Sequence, residues 1–404
     1  MFGKKSRAAT DGARHPDFSY VRPEDHYLDS ACQTMRPQPV IDALETYFHE
    51  YNACGERVKY AWGRRVDEAV ADVRTAVLHY FDLSAKRYAV SFTLNTTYGL
   101  NLLLQQLPAR YDRVVTSHHE HNSVYLTTIE LARRLSVERV VLDRSADGAL
   151  LYDEAQLERA VVVVNAMSNV DGSQLSNLKQ LVADTHAHGG IVIIDGAQAV
   201  AHAQSLLRGV EADAYCFSAH KAYGASLGVV VARKDLLMSL EVTFIGGGMV
   251  EDVTERDYEL LPEGEIHTRL EAGLQPWGEI IALGEALRWQ KAFRYEGRTA
   301  EEHEAHLAQR LYDGLHGIPG LTMLGGAPAP VISVYSEQHD AHQLALFLSE
   351  AGVMVRSGYF CAHHYLKEKL ALPPLLRFSI GLHATEEDID VAVRTMTTFV
   401  KEIK

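Results

Sequence analysis

The sequence of 404 residues predicts an α/β fold, in which a large domain with a mostly parallel sheet is followed by a smaller α+β domain. Between about residues 85 and 235, short apolar runs alternate with helix-like stretches, which is typical of a parallel sheet covered by helices. Some runs are apolar without interruption, such as residues 161–164, and this suits strands buried on both faces. After the three glycines at 246–248 the pattern changes to amphipathic helices and isolated strands.

Each element is assigned from its apolar pattern and its flanking residues. In the first region we expect strands at residues 88–92, 113–116, 139–142, 161–165, 191–194 and 228–232. In the C-terminal third we expect helices at residues 279–295, 300–314, 341–351 and 386–403 and strands at 331–335 and 376–380. Thr385 is the expected N-cap of the last helix.

The chain is long enough for two domains. We predict an N-terminal tail at residues 1–25, a large domain at 26–272 and a small domain at 273–404, to which the tail could also contribute.

Composition and charge restrict the class of function. The chain has 39 basic and 53 acidic residues, a formal charge of −14. This argues against a broad surface for nucleic acid or anionic membranes, because such a surface needs clustered Lys and Arg. No apolar run reaches the ~20 residues of a membrane-spanning helix. The first 14 residues lack the apolar stretch of a secretory signal. We therefore expect a cytoplasmic protein that binds neither nucleic acid nor membrane.

A lysine in an unusual setting is the first candidate for chemistry. Lys221 stands in residues 218–224 (SAHKAYG), just before a predicted buried strand, whereas lysines normally lie on a solvated surface. A lysine that forms an imine needs a lowered pKa, so that the free amine is available. Taken alone, the segment fits a surface lysine in a loop equally well.

Asp195 falls at the C-terminal end of the predicted strand at 191–194, where an unpaired carboxylate is costly. The protonated pyridine nitrogen of pyridoxal 5′-phosphate (PLP) would be a suitable partner, and the pairing would keep the ring an electron sink. Gln198 lies just beyond and could donate to the phenolate oxygen of the ring. The alternative is that Asp195 only caps the following helix.

Hydroxyl residues follow the first predicted strand. Thr96 and Thr97 precede a helix, and a helix N-terminus favours a bound phosphate. Thr97 is the expected direct contact, and an ordinary N-cap is the alternative. Asn169, in a turn after the strand at 161–165, could contact the phenolate side of the cofactor or be only a turn residue.

Residues 117–123 contain three histidines and a glutamate. Their spacing matches no standard zinc motif, and we expect no metal. The preferred interpretation is an imidazole stacked on a flat ring, with His121 as first choice and His119 as second.

These motifs, each at the end of a predicted strand, resemble the class V aminotransferase family of fold-type I PLP enzymes. Within that family the chain is most similar to cysteine desulfurases and selenocysteine lyases of the SUF-associated branch. The resemblance runs from residue 27 to about residue 400. The strongest matches are residues 195–198 with D-G-A-Q and residues 218–224 with S-x-H-K-x-Y-G, and residues 120–124 match E-H-N-S-V.

The resemblance implies a role for each cofactor-binding residue. Lys221 would form the Schiff base with PLP, Asp195 would pair with the pyridinium nitrogen, and Gln198 would contact the phenolate oxygen. His121 would stack on the ring and assist proton transfer. The phosphate would be held by Ser218, His220 and Thr97.

The resemblance also assigns the residues that handle the substrate. Cys361 lies in residues 355–363, which match V-R-x-G-x-x-C-A, and its thiolate would take the substrate sulfur as a persulfide. Cationic neighbours favour a thiolate, and Arg356, His363 and His364 are near in sequence. The alternatives are a buried structural cysteine and, less favoured, a metal site at 361–364.

Arg377, in a match to R-x-S, would clamp the substrate carboxylate together with Arg356. A surface ion pair is the alternative for Arg377. The stretch from Cys361 to Arg377 is short. In this respect the chain resembles the compact-loop branch of the family, whose enzymes need an acceptor or activator protein. Two departures concern substrate identity: Leu274 replaces a family threonine that reaches the phosphate in the partner's site, and Cys32 stands in the altered segment 29–34.

The resemblance therefore predicts a homodimeric, PLP-dependent cysteine desulfurase. It would convert L-cysteine to L-alanine and pass the sulfur from a persulfide on Cys361 to an acceptor protein. The alternatives are another class V activity, such as a selenocysteine or C–S lyase, an epimerase or an aminotransferase, or a non-catalytic scaffold with this fold. The other activities need Lys221 but not Cys361.

Overall fold

The structure is a computed structural model that describes residues 13–56 and 58–402. In this part of the chain the strands are β1 His26–Tyr27, β2 Tyr88–Thr93, β3 Arg113–Ser117, β4 Glu138–Leu142, β5 Ala160–Asn165, β6 Ile191–Asp195, β7 Ala214–Ser218, β8 Gly228–Arg233, β9 Val250–Val253, β10 Tyr258–Leu260, β11 Thr322–Leu324, β12 Val331–Tyr335, β13 Val353–Met354, β14 Arg356–Gly358 and β15 Leu375–Ser379. The helices are α1 Gln38–Glu50, α2 Ala61–Phe81, α3 Thr96–Gln105, α4 Asn122–Leu135, α5 Leu178–Ala187, α6 Ala199–His202, α7 Gln204–Leu207, α8 Lys234–Ser239, α9 Trp277–Ala292, α10 Ala300–His316, α11 Ala341–Glu350 and α12 Glu386–Glu402.

The main sheet has seven strands in the order β2-β8-β7-β6-β5-β3-β4. β8 runs antiparallel to both neighbours, and the remaining neighbouring pairs are parallel. This confirms the predicted fold class. The prediction omitted β7, because its alternation of aromatic and small residues (AYCFS) lacks the continuous aliphatic run of the other strands. The predicted and observed ends of the remaining elements differ by less than about one helical turn.

The central strands are buried on both faces, as their sequences predict. Every residue of β5 is buried. Val162 and Val164 pack in the same core as α2 and α5, while Val161 and Val163 pack with α3 and α4 on the other face. Successive side chains of a strand point to opposite faces, so the valine run supplies both cores. Each buried valine contributes about 1.5 kcal/mol or more.

A second sheet is antiparallel and has the order β11-β12-β15-β14. Its apolar face packs with α10, α11 and α12 around residues such as Leu311, Leu348 and Phe378. β1 pairs in parallel with β13, and Leu28 belongs to the same core. By contrast, Trp277 and Ile280 of α9 pack in the core of the main sheet. The division at residues 272–273 remains a prediction.

The segment 13–25 contacts α9 through Phe18 and α12 through Arg14, while residues 1–12 of the predicted tail lie outside the described residues. Arg14 pairs with Asp388 of α12 and donates to the carbonyl oxygens of His383 and Asp25. Thr385 and Asp388 exchange side-chain and backbone hydrogen bonds, which confirms Thr385 as the N-cap. The predicted end of this helix at residue 403 lies outside the described residues. No helix among the described residues is long and apolar enough to span a membrane.

Candidate active site

A cavity of about 230 Å³ opens where the strands of the main sheet end. Its walls come from the segments that follow β2, β3, β5, β6 and β7. Ligands in open α/β sheets bind at the carboxyl ends of the strands. The structure brings every residue predicted to bind the cofactor to this cavity: Thr96, Thr97, His121, Asn169, Asp195, Gln198, Ser218, His220 and Lys221.

Lys221 ends a short 3₁₀ turn directly after β7. Its exposure is intermediate because it lines the cavity, but protein atoms surround most of its side chain. This desolvation lowers the pKa of the Lys221 ammonium, the carboxylate of Asp195 opposes the lowering, and the charge of Arg377 adds to it. The turn therefore holds an amine with an increased fraction of the free base, which imine formation requires.

Asp195 is buried at the end of β6. Its Oδ1 accepts a hydrogen bond from the Ala197 N–H (2.9 Å), and its Oδ2 accepts one from the Ser123 hydroxyl (3.2 Å). Burial raises the pKa of this carboxyl group, and these hydrogen bonds and the charge of Lys221 only partly offset the effect. Both hydrogen-bond donors are neutral, so a protonated ring nitrogen in the cavity would stabilise the carboxylate.

His121 is the N-cap of α4 and lines the cavity. Its Nδ1 accepts the Ser123 N–H (3.0 Å) and lies 2.8 Å from the Ser123 hydroxyl oxygen. Burial lowers the pKa of His121 to about 3, and the charges of Lys221 and Arg377 add to the effect, so the ring is neutral at neutral pH. His119 instead packs on Tyr365, with ring centroids 4.2 Å apart.

The segment around His121 is fixed by a buried carboxylate. Glu120 accepts the backbone N–H of Asn165 (2.7 Å) and pairs with Arg144 (3.1 Å). Ser123 joins His121 to Asp195, and the sequence interpretation assigned it no role. The sequence signal for Ser123 was its place in the E-H-N-S-V match at residues 120–124.

The N-terminus of α3 closes one end of the cavity. The Ser218 hydroxyl oxygen accepts the Thr96 N–H (2.9 Å) and lies 2.6 Å from the Thr96 hydroxyl oxygen. Asn95 caps the helix by accepting the Tyr98 N–H. Hydroxyl groups and a helix N-terminus are suited to a phosphate.

The two side chains predicted to contact the phenolate oxygen of the cofactor each make one hydrogen bond within the protein. The Gln198 amide donates to the Ala31 carbonyl oxygen, and the Asn169 amide donates to the Phe360 carbonyl oxygen, each at 2.8 Å. Each amide nitrogen carries a second N–H for a ligand. A lysine, a buried aspartate, a neutral imidazole and a helix N-terminus suited to a phosphate surround one cavity. Together these groups fit PLP.

Cys361 is exposed on a loop between β14 and a single π-helical turn, His364–Lys369. The alternative of a buried structural cysteine is therefore wrong. The Cys361 carbonyl oxygen accepts the Asn122 N–H (2.6 Å), and Phe360 is held by Asn169 as described above. Both Phe360 and Cys361 have positive φ, 48° and 57°, which costs about 1–2 kcal/mol for each residue. The loop is thus held against two segments that line the cavity.

The histidines after Cys361 bind neighbouring segments. Nδ1 of His363 lies 3.2 Å from the amide nitrogen of Asn122, and Nε2 of His364 lies 2.8 Å from Nδ1 of His118. The His364 ring also stacks on Tyr125. Among the described residues, the side chains that converge as a possible metal site are Glu56, His267 and Glu271, where Glu271 is already paired with Arg74.

Arg377 and Arg356 lie on paired strands beside the cavity. The alternative that Arg377 is in a surface ion pair is wrong, because Arg377 is only 4% exposed. Both arginines bind Asp29, which the sequence interpretation left without a role. The sequence signal for Asp29 was its position at the start of the altered segment 29–34.

The fold and the cavity together define the class of protein: a seven-stranded α/β enzyme with a lysine, a buried aspartate and a helix N-terminus around one site. The chain belongs to the aminotransferase class-V family, whose model matches residues 26–391.

Similar proteins agree with this assignment. The chain is 32% identical over 377 residues to a cysteine desulfurase of Pectobacterium atrosepticum, covering 90% of each protein. The structure resembles the cysteine desulfurase CsdA of Escherichia coli with a TM-score of 0.83 at 24% identity, covering 96% of this chain and 97% of that chain. It also resembles a cysteine desulfurase of Thermococcus onnurineus NA1 (TM-score 0.82, 26% identity, covering 93% and 94% of the two chains).

Proposed function

We propose that the protein is a PLP-dependent cysteine desulfurase, which converts L-cysteine to L-alanine and takes the sulfur onto Cys361. The observation that carries the proposal is the exposed thiol of Cys361, on a loop that is hydrogen-bonded to Asn122 and Asn169 at the edge of the cavity that contains Lys221 and Asp195. The identity to proteins named cysteine desulfurase over nine-tenths of the chain supports the same substrate.

PLP, when bound, withdraws electrons from the α-carbon of an amino acid. Lys221 would hold the cofactor and, as a free amine, would accept the α-proton at Nζ and return it. Asp195 would pair with the protonated ring nitrogen, and His121 would lie against the ring. Gln198 and Asn169 would donate their remaining amide N–H groups to the phenolate oxygen. Thr96, Thr97, Ser218 and His220 would hold the phosphate.

Cys361 performs the sulfur transfer. Its thiolate attacks the sulfur atom of the substrate, so that an S–S bond forms while the Cβ–S bond breaks. The carbon fragment takes up a proton and leaves as alanine, and Cys361 carries the persulfide. Because Cys361 is exposed, a second protein can reach this sulfur and accept it, as the acceptor-dependent desulfurases require.

Arg377 and Arg356 bind the substrate carboxylate in this proposal. The guanidinium group of Arg377 is close enough to influence the pKa of both Lys221 and His121. A carboxylate bound to Arg377 would therefore hold the amino acid near both groups, and a planar guanidinium suits this bidentate contact.

We further propose a cytoplasmic homodimer. Support for the dimer comes from large apolar side chains that are exposed after β2, after α8 and before α9: Leu94, Phe244, Ile245 and Leu274. Burial of such side chains against a second copy of the chain would be favourable. Leu274, at 74% exposure, takes the place of the family threonine and would contribute an apolar contact there rather than a phosphate contact.

The first test is an absorbance spectrum of the purified protein followed by addition of L-cysteine and a reductant. We expect a band at roughly 400–430 nm from PLP attached to a lysine, and release of alanine and sulfide in equal amounts. A colourless protein would refute the PLP assignment. A yellow protein that releases pyruvate and sulfide instead of alanine would refute the desulfurase and indicate a C–S lyase.

A further inference from the structure

The Cys361 loop, residues 359–363 with the π-helical turn His364–Lys369 that follows, is docked onto one segment of the chain. Its side chains contact residues 118–125, which join β3 to α4 and include the first turn of that helix. The same segment carries His121, which lines the cofactor cavity. A shift of the loop against this segment would therefore move Cys361 relative to the cavity.

Two half-buried imidazoles lie at the centre of this contact. Nδ1 of His118 is 2.8 Å from Nε2 of His364. The His364 ring also stacks on Tyr125, with ring centroids 4.2 Å apart and 14° between the planes, and the guanidinium group of Arg139 lies 4.2 Å from the centre of the Tyr125 ring. A hydrogen bond between two ring nitrogens needs one N–H and one bare nitrogen, so it is lost when both rings are protonated.

A backbone hydrogen bond depends on the docked position of the loop. Asn122 is the first residue of α4, so its N–H has no acceptor within the helix. This N–H donates to the Cys361 carbonyl oxygen at 2.6 Å. Release of the loop would remove the acceptor and open the Asn122 N–H to exchange with solvent.

The surroundings keep both imidazoles neutral at neutral pH. Burial lowers the pKa of His118 below the usual value of 6.5, and the charge of Lys369 adds to the effect. Burial also lowers the pKa of His364, and the proximity of His118 adds to the effect. The charged and titratable groups that face the pair are the acidic Asp143 and Glu368, the basic Arg139 and Lys369, and Tyr125. Asp143 lies 4.0 Å from His118 but only 2.6 Å from Lys369, which weakens its influence on the histidine.

We propose that the hydrogen bond between His118 and His364 positions Cys361 for sulfur transfer. Both histidines are positioning residues, because neither lines the cavity and each acts through the loop. A thiol on an undocked loop would spend less time within reach of a bound substrate, whereas docking keeps it at the edge of the cavity. The inference rests on the proposed function in that Cys361 takes the substrate sulfur.

The test is hydrogen exchange of the PLP-loaded protein, followed by mass spectrometry with fragmentation that resolves Asn122. His364→Phe keeps a ring on Tyr125 but removes the hydrogen bond, and we expect the Asn122 N–H to exchange about tenfold faster. His118→Asn keeps an amide near the position of Nδ1 and should restore the exchange rate to within about threefold of the wild type. His316→Phe is the matched control, because His316 also stacks on a tyrosine, Tyr312, on the distant helix α10.

Catalysis gives a second readout, which a purely structural contact would not change. His364→Phe should lower kcat for alanine formation about threefold or more. The dissociation constant of L-alanine should stay within about twofold of the wild type, because the loop acts on sulfur transfer and not on binding of the amino acid. Unchanged exchange at Asn122 in His364→Phe, or faster exchange with an unchanged kcat, overturns the proposal.

The wild type supplies a measurement that needs no variant, in case His364→Phe does not fold. Protection of the Asn122 N–H, corrected for the intrinsic exchange rate and compared with the amides of β5, should fall between about pH 7 and about pH 4 as both imidazoles become protonated. Equal protection at both pH values overturns the proposal. Exchange needs no turnover, so a protein that forms no alanine from cysteine would refute the desulfurase, while the exchange rates would still show whether the histidine pair holds the loop.

Discussion

Asp388 should contribute a measurable and acid-sensitive part of the stability. This carboxylate lies in the first turn of α12 and is buried against the N-terminal segment, where it pairs with Arg14 (3.0 Å) and accepts from His26 (2.8 Å). Burial alone would raise the pKa of Asp388, but the hydrogen bond to His26 and the charge of Arg14 outweigh it and lower the pKa to about 2. The difference from the usual value of 3.8 corresponds to about 2.4 kcal/mol of folding free energy.

The sign follows from the direction of the change. A carboxyl group whose pKa is lower in the folded state stabilises the fold above its unfolded pKa, and the contribution disappears as the pH falls from about 4 to about 2. Asp388→Asn should therefore reduce the free energy of unfolding at pH 7 by about 2–3 kcal/mol. Its free energy of unfolding should also change less than that of the wild type across this acid range.

The assay is urea unfolding followed by far-UV circular dichroism at several pH values. Asp390→Asn is the matched control, because Asp390 lies on the same helix and pairs with Arg310 at the surface. Exposed pairs contribute less than about 1 kcal/mol. The reasoning would be refuted if the two variants lost equal free energies of unfolding at pH 7. It would also be refuted if the free energy of unfolding of Asp388→Asn changed with pH as much as that of the wild type.

The remaining predictions concern the site. Lys221→Arg keeps the charge but should lower alanine formation at least about 10³-fold and abolish the visible absorbance, because a guanidinium group forms no imine with the cofactor; a coloured, active variant would contradict this. His121→Gln should lower kcat about 10²-fold, whereas His119→Gln should change it less than about twofold, and the reverse order would show that His119 is the ring-facing histidine. Because the pKa of His121 is about 3, its ring should show no protonation shift by NMR between pH 6 and 8; a titration in that range would contradict the neutral ring.

The main sheet was predictable because its central strands are nearly pure aliphatic runs. The valines of β5 belong to both cores, and a strand covered on both faces buries four consecutive valines. β7 was not predicted from its pattern, since its residues are buried by tertiary contacts on a strand of mixed composition. Local sequence patterns carry less information about such a strand.

The cofactor cavity was predictable for a related reason. Residues that follow parallel strands meet at one edge of the sheet, so motifs as far apart in sequence as Thr96 and Lys221 converge there. The pairing of Asp29 with Arg356 and Arg377 was not predictable, because these residues are 327 and 348 positions apart. The exposure and backbone conformation of Cys361 were not predictable either. They depend on the hydrogen bonds that Asn122 donates to Cys361 and that Asn169 donates to Phe360.

The central claim is that Cys361 takes the sulfur of L-cysteine, and intact-protein mass spectrometry tests it most directly. The wild type, Cys361→Ala and Cys54→Ala are treated with L-cysteine without reductant, where Cys54 is a second exposed thiol. We predict a gain of about 32 Da in the wild type and in Cys54→Ala, located on Cys361 as a persulfide, with alanine release in both. Cys361→Ala should gain no sulfur and release almost no alanine. A Cys361→Ala protein that forms alanine at the wild-type rate would contradict the account.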